Sequence, residues 1–398
     1  MSVRRRLGLL VVGLPIAFYA YACSSESDPG AEDGADGGTE GSVNPGLDSS
    51  TRTDSSTGTD GSTVTDGGTD ASDGAVTITC VGNPLTADGG TADGGANLDA
   101  AVVRELGITY PLVAGSSFLD GPQWIEADGG ALVFSQLNSA PPQVLRVAID
   151  GGAATALRSA PNGQLLLPVG NATRNGMVLT AVTPNVANQT PVIWQTAPDG
   201  GAGPSIAIGA TTNPNDLVVG ANGNIYFTDP QYQANPAGDT GVYRVLGDGG
   251  VQLVQKDLAR PNGIALAPDG KKLYVGLGPL AGDPNAATAK GVLVYTVAAD
   301  GAVTTPGAAF LTSAELVDVP DGIAVDVGGN VWVAEAAGNG DQSGRVEVFG
   351  PDKKKLGTLP FPTKRPTGVA FGGADNKTLF ITAESGVFVY TSRCAGVR

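Results

Sequence analysis

The sequence predicts an all-β fold, a six-bladed β-propeller with four antiparallel strands per blade, and three observations lead there. A unit of proline, apolar strand, glycine turn and second apolar strand recurs six times. A second series of Asp-Gly turns alternates with these units. Glycine and proline number 60 and 27 in 398 residues, as short strands joined by tight turns require.

The six units read DGPQWIEADGGALVFSQ from Asp120, LPVGNATRNGMVLTAV from Leu167, NPNDLVVGANGNIYFTDP from Asn213, RPNGIALAPDGKKLYVG from Arg260, VPDGIAVDVGGNVWVAE from Val319 and RPTGVAFGGADNKTLFITA from Arg365. Their prolines, Pro122, Pro168, Pro214, Pro261, Pro320 and Pro366, are spaced by 46, 46, 47, 59 and 46 residues. Between them fall Asp150-Gly151, Asp199-Gly200, Asp248-Gly249, Asp300-Gly301 and the variant Pro351-Asp352. Asp-Gly supplies the positive φ of a tight hairpin. Four strands in about 45 residues is one propeller blade. Two sandwiches would not share one period. The long fourth spacing puts extra residues around 276–290, either a rim or lid over the channel or a tolerated surface insertion.

The chain divides into 1–23, 24–78 and 79–398. Arg4, Arg5 and Arg6 precede an apolar run from Leu7 to Ala22, too short to span a bilayer comfortably and typical of a signal peptide. It ends in Ala20-Tyr21-Ala22-Cys23, which resembles a bacterial lipobox with Ala20 where leucine is usual. That resemblance implies cleavage before Cys23 and its lipidation, hence a cell-envelope protein held at a membrane by the lipid alone. Residues 24–80 carry twelve acids and one arginine, among Ser, Thr and Gly. Such a segment buries too little to fold and reads as a self-repelling, disordered linker.

The net charge of −16 argues against nucleic acid as a partner. The absence of histidine removes Ser-His-Asp triads and His-ligated zinc. Three tryptophans, Trp124, Trp194 and Trp332, are too few for a Trp-repeat quinone propeller. The ring is expected to be a monomer. Cys80 and Cys394 lie at the two ends of the folded region, where the first and last strands of a closed ring meet, so an exported chain is expected to join them in a disulfide.

The residue after each repeating proline enters the strand that lines the central channel. These residues are Val169, Asn215, Asn262, Asp321 and Thr367, with Asp120 just ahead of Gly121-Pro122 in the first unit. Each Asn or Asp alone is an ordinary turn residue. Four at equivalent positions also make an oxygen-only set suited to a hard dication, Ca2+ above all.

Parts of these units and their continuations, NPNDLVV with NIYFTDPQY, RPNGIALAPDGKKLYV, PDGIAVDVGGNVWVAE, GRVEVFGPDKKKLGTLPFP and GVAFGGADNKTLFITA, resemble the gluconolactonase/senescence-marker-protein (regucalcin)/luciferin-regenerating-enzyme family, and the likeness runs over about residues 112–392. It implies metal ligands at Asp120 (where the family has Glu), Asn262 and Asp321, and a substrate-facing Asn215. The expected chemistry is the opening of a small lactone or ester, its carbonyl polarised by Ca2+ and its attacking water deprotonated by Asp321. Asp229, Tyr232 and Glu335, on loops toward the same face, are expected to wall the substrate. The alternative is a non-catalytic, lipid-anchored propeller that binds a ligand or protein at the metal face.

Overall fold

A computed structural model describes residues 96–97, 104–106, 108–109, 118–185, 189–209, 213–232, 239–279, 290–336, 344–361 and 364–397. The leader with Cys23, the linker, Cys80 and most of the 276–290 insertion lie outside the described residues. No helix among the described residues is long and apolar enough to cross a membrane.

Six four-stranded antiparallel sheets follow one another around an axis. Their inner strands are Leu119–Ile125, Leu166–Arg174, Leu217–Val219, Pro261–Leu266, Val319–Val325 and Pro366–Gly372. In blades 1 to 5 the chain runs outward from the inner strand through three more. Blade 6 has only three strands of its own, and its outer edge is completed by Arg104–Glu105, paired antiparallel with Gly386–Thr391. The repeat therefore does not hold four strands in every unit. The segment before blade 1 closes the ring and covers an edge that would otherwise be open. Ala96–Asn97 adds a parallel fifth strand to blade 5.

The Asp-Gly turns form as the sequence requires. Gly151, Gly200, Gly249 and Gly301 all have φ between 80° and 92°. The Asp199, Asp248 and Asp300 carboxylates each accept the N–H two residues on at 2.9 Å. In blade 5 Asp352 does the same at 3.2 Å, and Lys353 takes the left-handed position.

The core lies between blades. Six apolar clusters fill the six blade–blade interfaces, because alternate residues of each strand face opposite neighbours. At the closing interface Trp124 of blade 1 stacks on Phe380 of blade 6 at 5.6 Å, with Leu106 of the incoming segment buried beside them. At the 5–6 interface Trp332 meets Phe371 edge-on at 5.5 Å. Its indole N–H donates to Asp326, which also accepts from Asn330 in the turn.

The chain end folds back under the ring. Val397 N–H donates to Val325 O at 3.1 Å, and Gly396 bridges Asp326. Cys394 is buried on this segment. Its expected partner Cys80 lies outside the described residues.

Candidate functional site

Close packing brings the six channel-mouth positions together. Five of them are followed by glycine, and a Cβ on any of the five would strike the adjoining blade. On Gly121 it would lie 2.3 Å from Val169 O, on Gly263 2.1 Å from Asp321 O, on Gly322 2.6 Å from Gly368 Cα and on Gly368 2.4 Å from Pro122 Cδ. Hydrogen bonds stitch the same level. Asn171 donates to Gly121 O at 2.7 Å, Gly170 N–H to Asn215 O at 2.8 Å, Thr228 to Asn262 O at 2.7 Å and Thr367 to Leu119 O at 2.7 Å.

The third blade breaks the glycine rule. Asp216 stands where the others carry glycine, and its space exists because its neighbour is Gly170, whose Cβ would lie 2.4 Å from Asp216 Oδ1. Asp216 accepts the N–H of Leu217 at 2.8 Å and, across the interface, that of Ile264 at 3.2 Å. Asp216 lies one position past the residue that follows the repeating proline, so the turn pattern alone does not mark it. The signal was present as Asn-Asp in a column otherwise of glycine.

A cavity of about 480 Å3 runs along the axis. Asp120, Asn215, Asp216, Asn262 and Thr367 line one end, and Phe371, Asn376 and Val397 the other. Asp321 joins this polar end through Asn262, whose amide hydrogen-bonds its carboxylate. The same amide donates to the Tyr232 hydroxyl at 3.0 Å. Tyr232 has an exposed ring, while its hydroxyl is turned into the site.

Three acids thus share a confined space. Burial pushes Asp120 up to about 6, against the pull of the Gly121 N–H. Burial and then the charge of Asp120 push Asp216 up to about 7. Asp321 is raised well above the usual carboxylate range by burial and by the charge of Asp120, with Arg365 opposing. Burial and the charge of Asp321 also raise Tyr232, which keeps its proton at neutral pH. Such a set asks for a cation. Two carboxylates and an amide oxygen, with neither thiolate nor imidazole, fit a hard dication. Among the described residues no three carboxylate or thiol side chains form a group that could hold a metal on their own.

Residues 119–385 match the SMP-30/Gluconolactonase/LRE-like region. The chain belongs to that family. A gluconolactonase of Zymomonas mobilis is 31% identical over 188 residues, 44% of this chain and 49% of that protein. A pentonolactonase of Haloferax volcanii is 28% identical over 180 residues, 45% and 56% of the two chains. These matches span about half the length of the relatives. Among solved structures, a gluconolactonase from Xanthomonas campestris superposes with a TM-score of 0.56 at 27% identity, covering 73% of this chain and 89% of that one.

Within this family propeller, two residues expected at the substrate wall sit inside their blades. Asp229 is fully buried, and its carboxylate accepts the N–H groups of Asn213 and Gln231 at 3.2 and 3.3 Å. It holds the start of blade 3's inner strand to the Tyr232 loop. Glu335 is fully buried too, accepting the Asp318 N–H and lying against the buried Glu347, which is paired with Lys355. Neither Asp229 nor Glu335 lines the cavity.

Burial first, and then Glu347, raise Glu335 to about 9 from the usual 4.5. The folded state therefore holds a proton that the unfolded chain loses near pH 4.5. The stability this proton gives is complete below that pH and is lost as pH climbs toward 9. Glu335→Gln is expected to flatten the decline and to be more stable than wild type at pH 8 by on the order of 2 kcal/mol. Thermal melts of both proteins between pH 5 and 9 check this, and parallel curves would refute it.

Proposed function

We propose that this chain is a metal-dependent lactone hydrolase of the cell envelope. One observation carries the reading: Asp120, Asn215, Asp216 and Asn262 line the polar end of a channel, with Asp321 beside it hydrogen-bonded to Asn262, in a chain of a family whose named relatives include lactonases. Asp120, Asn262 and Asp321 would hold the ion, with Ca2+ the best fit to oxygen donors. When bound, the ion would supply Lewis-acid polarisation of the lactone carbonyl and a lowered pKa for water.

The chain's own groups account for the remaining steps. Asp321 accepts the proton of the attacking water as its oxygen bonds to the carbonyl carbon. The ring C–O bond breaks, and its oxygen takes up a proton to leave a hydroxy acid. Asn215, its backbone fixed by Thr228 O and by the Gly170 N–H, presents its side chain to the substrate oxygen. Tyr232 keeps its proton and serves as a hydrogen-bond donor at the solvent side. Asp229 positions the Tyr232 loop, and Glu335 steadies blade 5 behind Asp321.

The apolar leader and Cys23 support export and a lipid tether, with residues 24–78 as a spacer and the single closed ring acting as a monomer. One experiment tests both parts. Washed membranes of cells producing the protein are assayed with aldonic 1,4- and 1,5-lactones, before and after EDTA and with Ca2+ restored. Hydrolysis is expected in the membrane fraction, lost with EDTA and regained with Ca2+, and it should move to the soluble fraction in Cys23→Ser. Ca2+-dependent thermal stability without turnover of any lactone would instead favour a binding propeller.

A further inference from the structure

Two cations stand guard over the acidic mouth, and their placement follows the repeat. The position two residues before each mouth residue is Phe118, Leu167, Asn213, Arg260, Val319 and Arg365 in the six blades. Arginine occurs only in blades 4 and 6, which flank the blade that carries Asp321. In a chain of net charge −16, this sets two positive charges beside the acidic end of the axial cavity, where Arg260 acts on Tyr232 and Arg365 on Asp321.

Arg260 is held in an unusual way. Its φ is +36°, a left-handed conformation that a long side chain adopts only where its surroundings impose it. Its guanidinium lies 5.3 Å from the centre of the Tyr232 ring. The hydroxyl of that ring is 3.0 Å from Asn262 Nδ2. Guanidinium, phenol and proposed ligand amide therefore form one row from solvent to ion site, with the cation fixed on an aromatic face. Arg365 is partly neutralised by Glu384 at 3.1 Å, yet its charge still acts on Asp321.

We propose that Arg260, supported by Arg365, selects lactones that carry a second, anionic group such as a carboxylate. A planar guanidinium with its stem fixed suits carboxylate recognition, and positive charge at the rim draws anions toward a cavity whose acids would otherwise repel them. This rests on the lactone-hydrolase reading and names its substrate class.

The test compares D-glucono-1,4-lactone with D-glucaro-1,4-lactone, which has the same ring but a carboxylate in place of the terminal CH2OH. With Ca2+ present, wild type is expected to favour the anionic lactone at least tenfold in kcat/KM. Arg260→Gln should lose that preference through KM, with the neutral substrate changed less than threefold and Tm retained. Arg260→Lys, which keeps the charge without the planar fork, should recover part of it. Calorimetric binding of the two lactones separates the two ideas. If neither is hydrolysed, the hydrolase reading fails, and Arg260-dependent binding of the anionic lactone still supports anion recognition. Equal affinity of wild type for both lactones, or an equal loss for both in Arg260→Gln, overturns the proposal.

Discussion

Replacing Asp321 by asparagine is expected to abolish turnover while stabilising the metal-free protein. The substitution keeps the size of the side chain and its contact with Asn262 but removes one negative charge. In the proposed mechanism Asp321 is the proton acceptor and no histidine can replace it, so a loss of about 10^3-fold in kcat is expected. The opposite sign holds for stability in EDTA. There Asp321 is buried beside Asp120 and near Asp216, and its ionisation is opposed by all three circumstances. Removing its charge should raise the stability of the EDTA-treated protein by on the order of 1 kcal/mol. In Ca2+ the order should reverse, because wild type gains more from the ion. Melting curves of the two proteins in EDTA and in Ca2+ check the crossing. An Asp321→Asn protein less stable than wild type in both conditions would show that the carboxylate is structural and not a ligand.

What the sequence made legible was whatever the repeat multiplied. Six prolines and five turns fixed the blade count, because each blade needs the same turn chemistry and buries the same alternating faces. The mouth residues were legible for the same reason: Asp120, Asn215, Asn262 and Asp321 occupy equivalent places, and a ring brings equivalent places to one axis. Single departures were harder to read. Arg104–Glu105 is a two-residue strand without alternation, so nothing marked it as the closing edge of blade 6. Asp216 is one residue past the position compared among blades, and its burial depends on a glycine, Gly170, in the blade before. The sequence puts Glu335 on a loop between the second and third strands, toward the mouth face, whereas it lies inside the second strand, Val331–Ala336. Its burial comes from cross-strand register, where Val333 is opposite Glu347 and Glu335 opposite Arg345, and register is not written in one strand alone.

The ring of glycines carries the second large expected effect. Gly263 is not in a left-handed conformation, so alanine there would be acceptable for the local backbone, and its difficulty is space alone. The added Cβ would lie 2.1 Å from Asp321 O, 2.7 Å from Ile323 N and 2.9 Å from Gly322 C. All three are backbone atoms of the neighbouring inner strand, so no side chain can swing aside, and relief requires blades 4 and 5 to part at the axis. Gly263→Ala is expected to destabilise by about 3 kcal/mol or more, the upper range for overpacking. Because the displaced atoms belong to Asp321 and its neighbours, the loss should also appear as weaker Ca2+ binding, with the Ca2+-induced rise in Tm shrinking along with the Tm itself. Gly247→Ala serves as the control, since a Cβ there meets nothing within 4 Å. If Gly263→Ala melts and binds Ca2+ like Gly247→Ala, the inner strands are not packed closely enough to hold the mouth residues in register. Side chains from separate blades would then lack the rigid frame on which a shared ion depends.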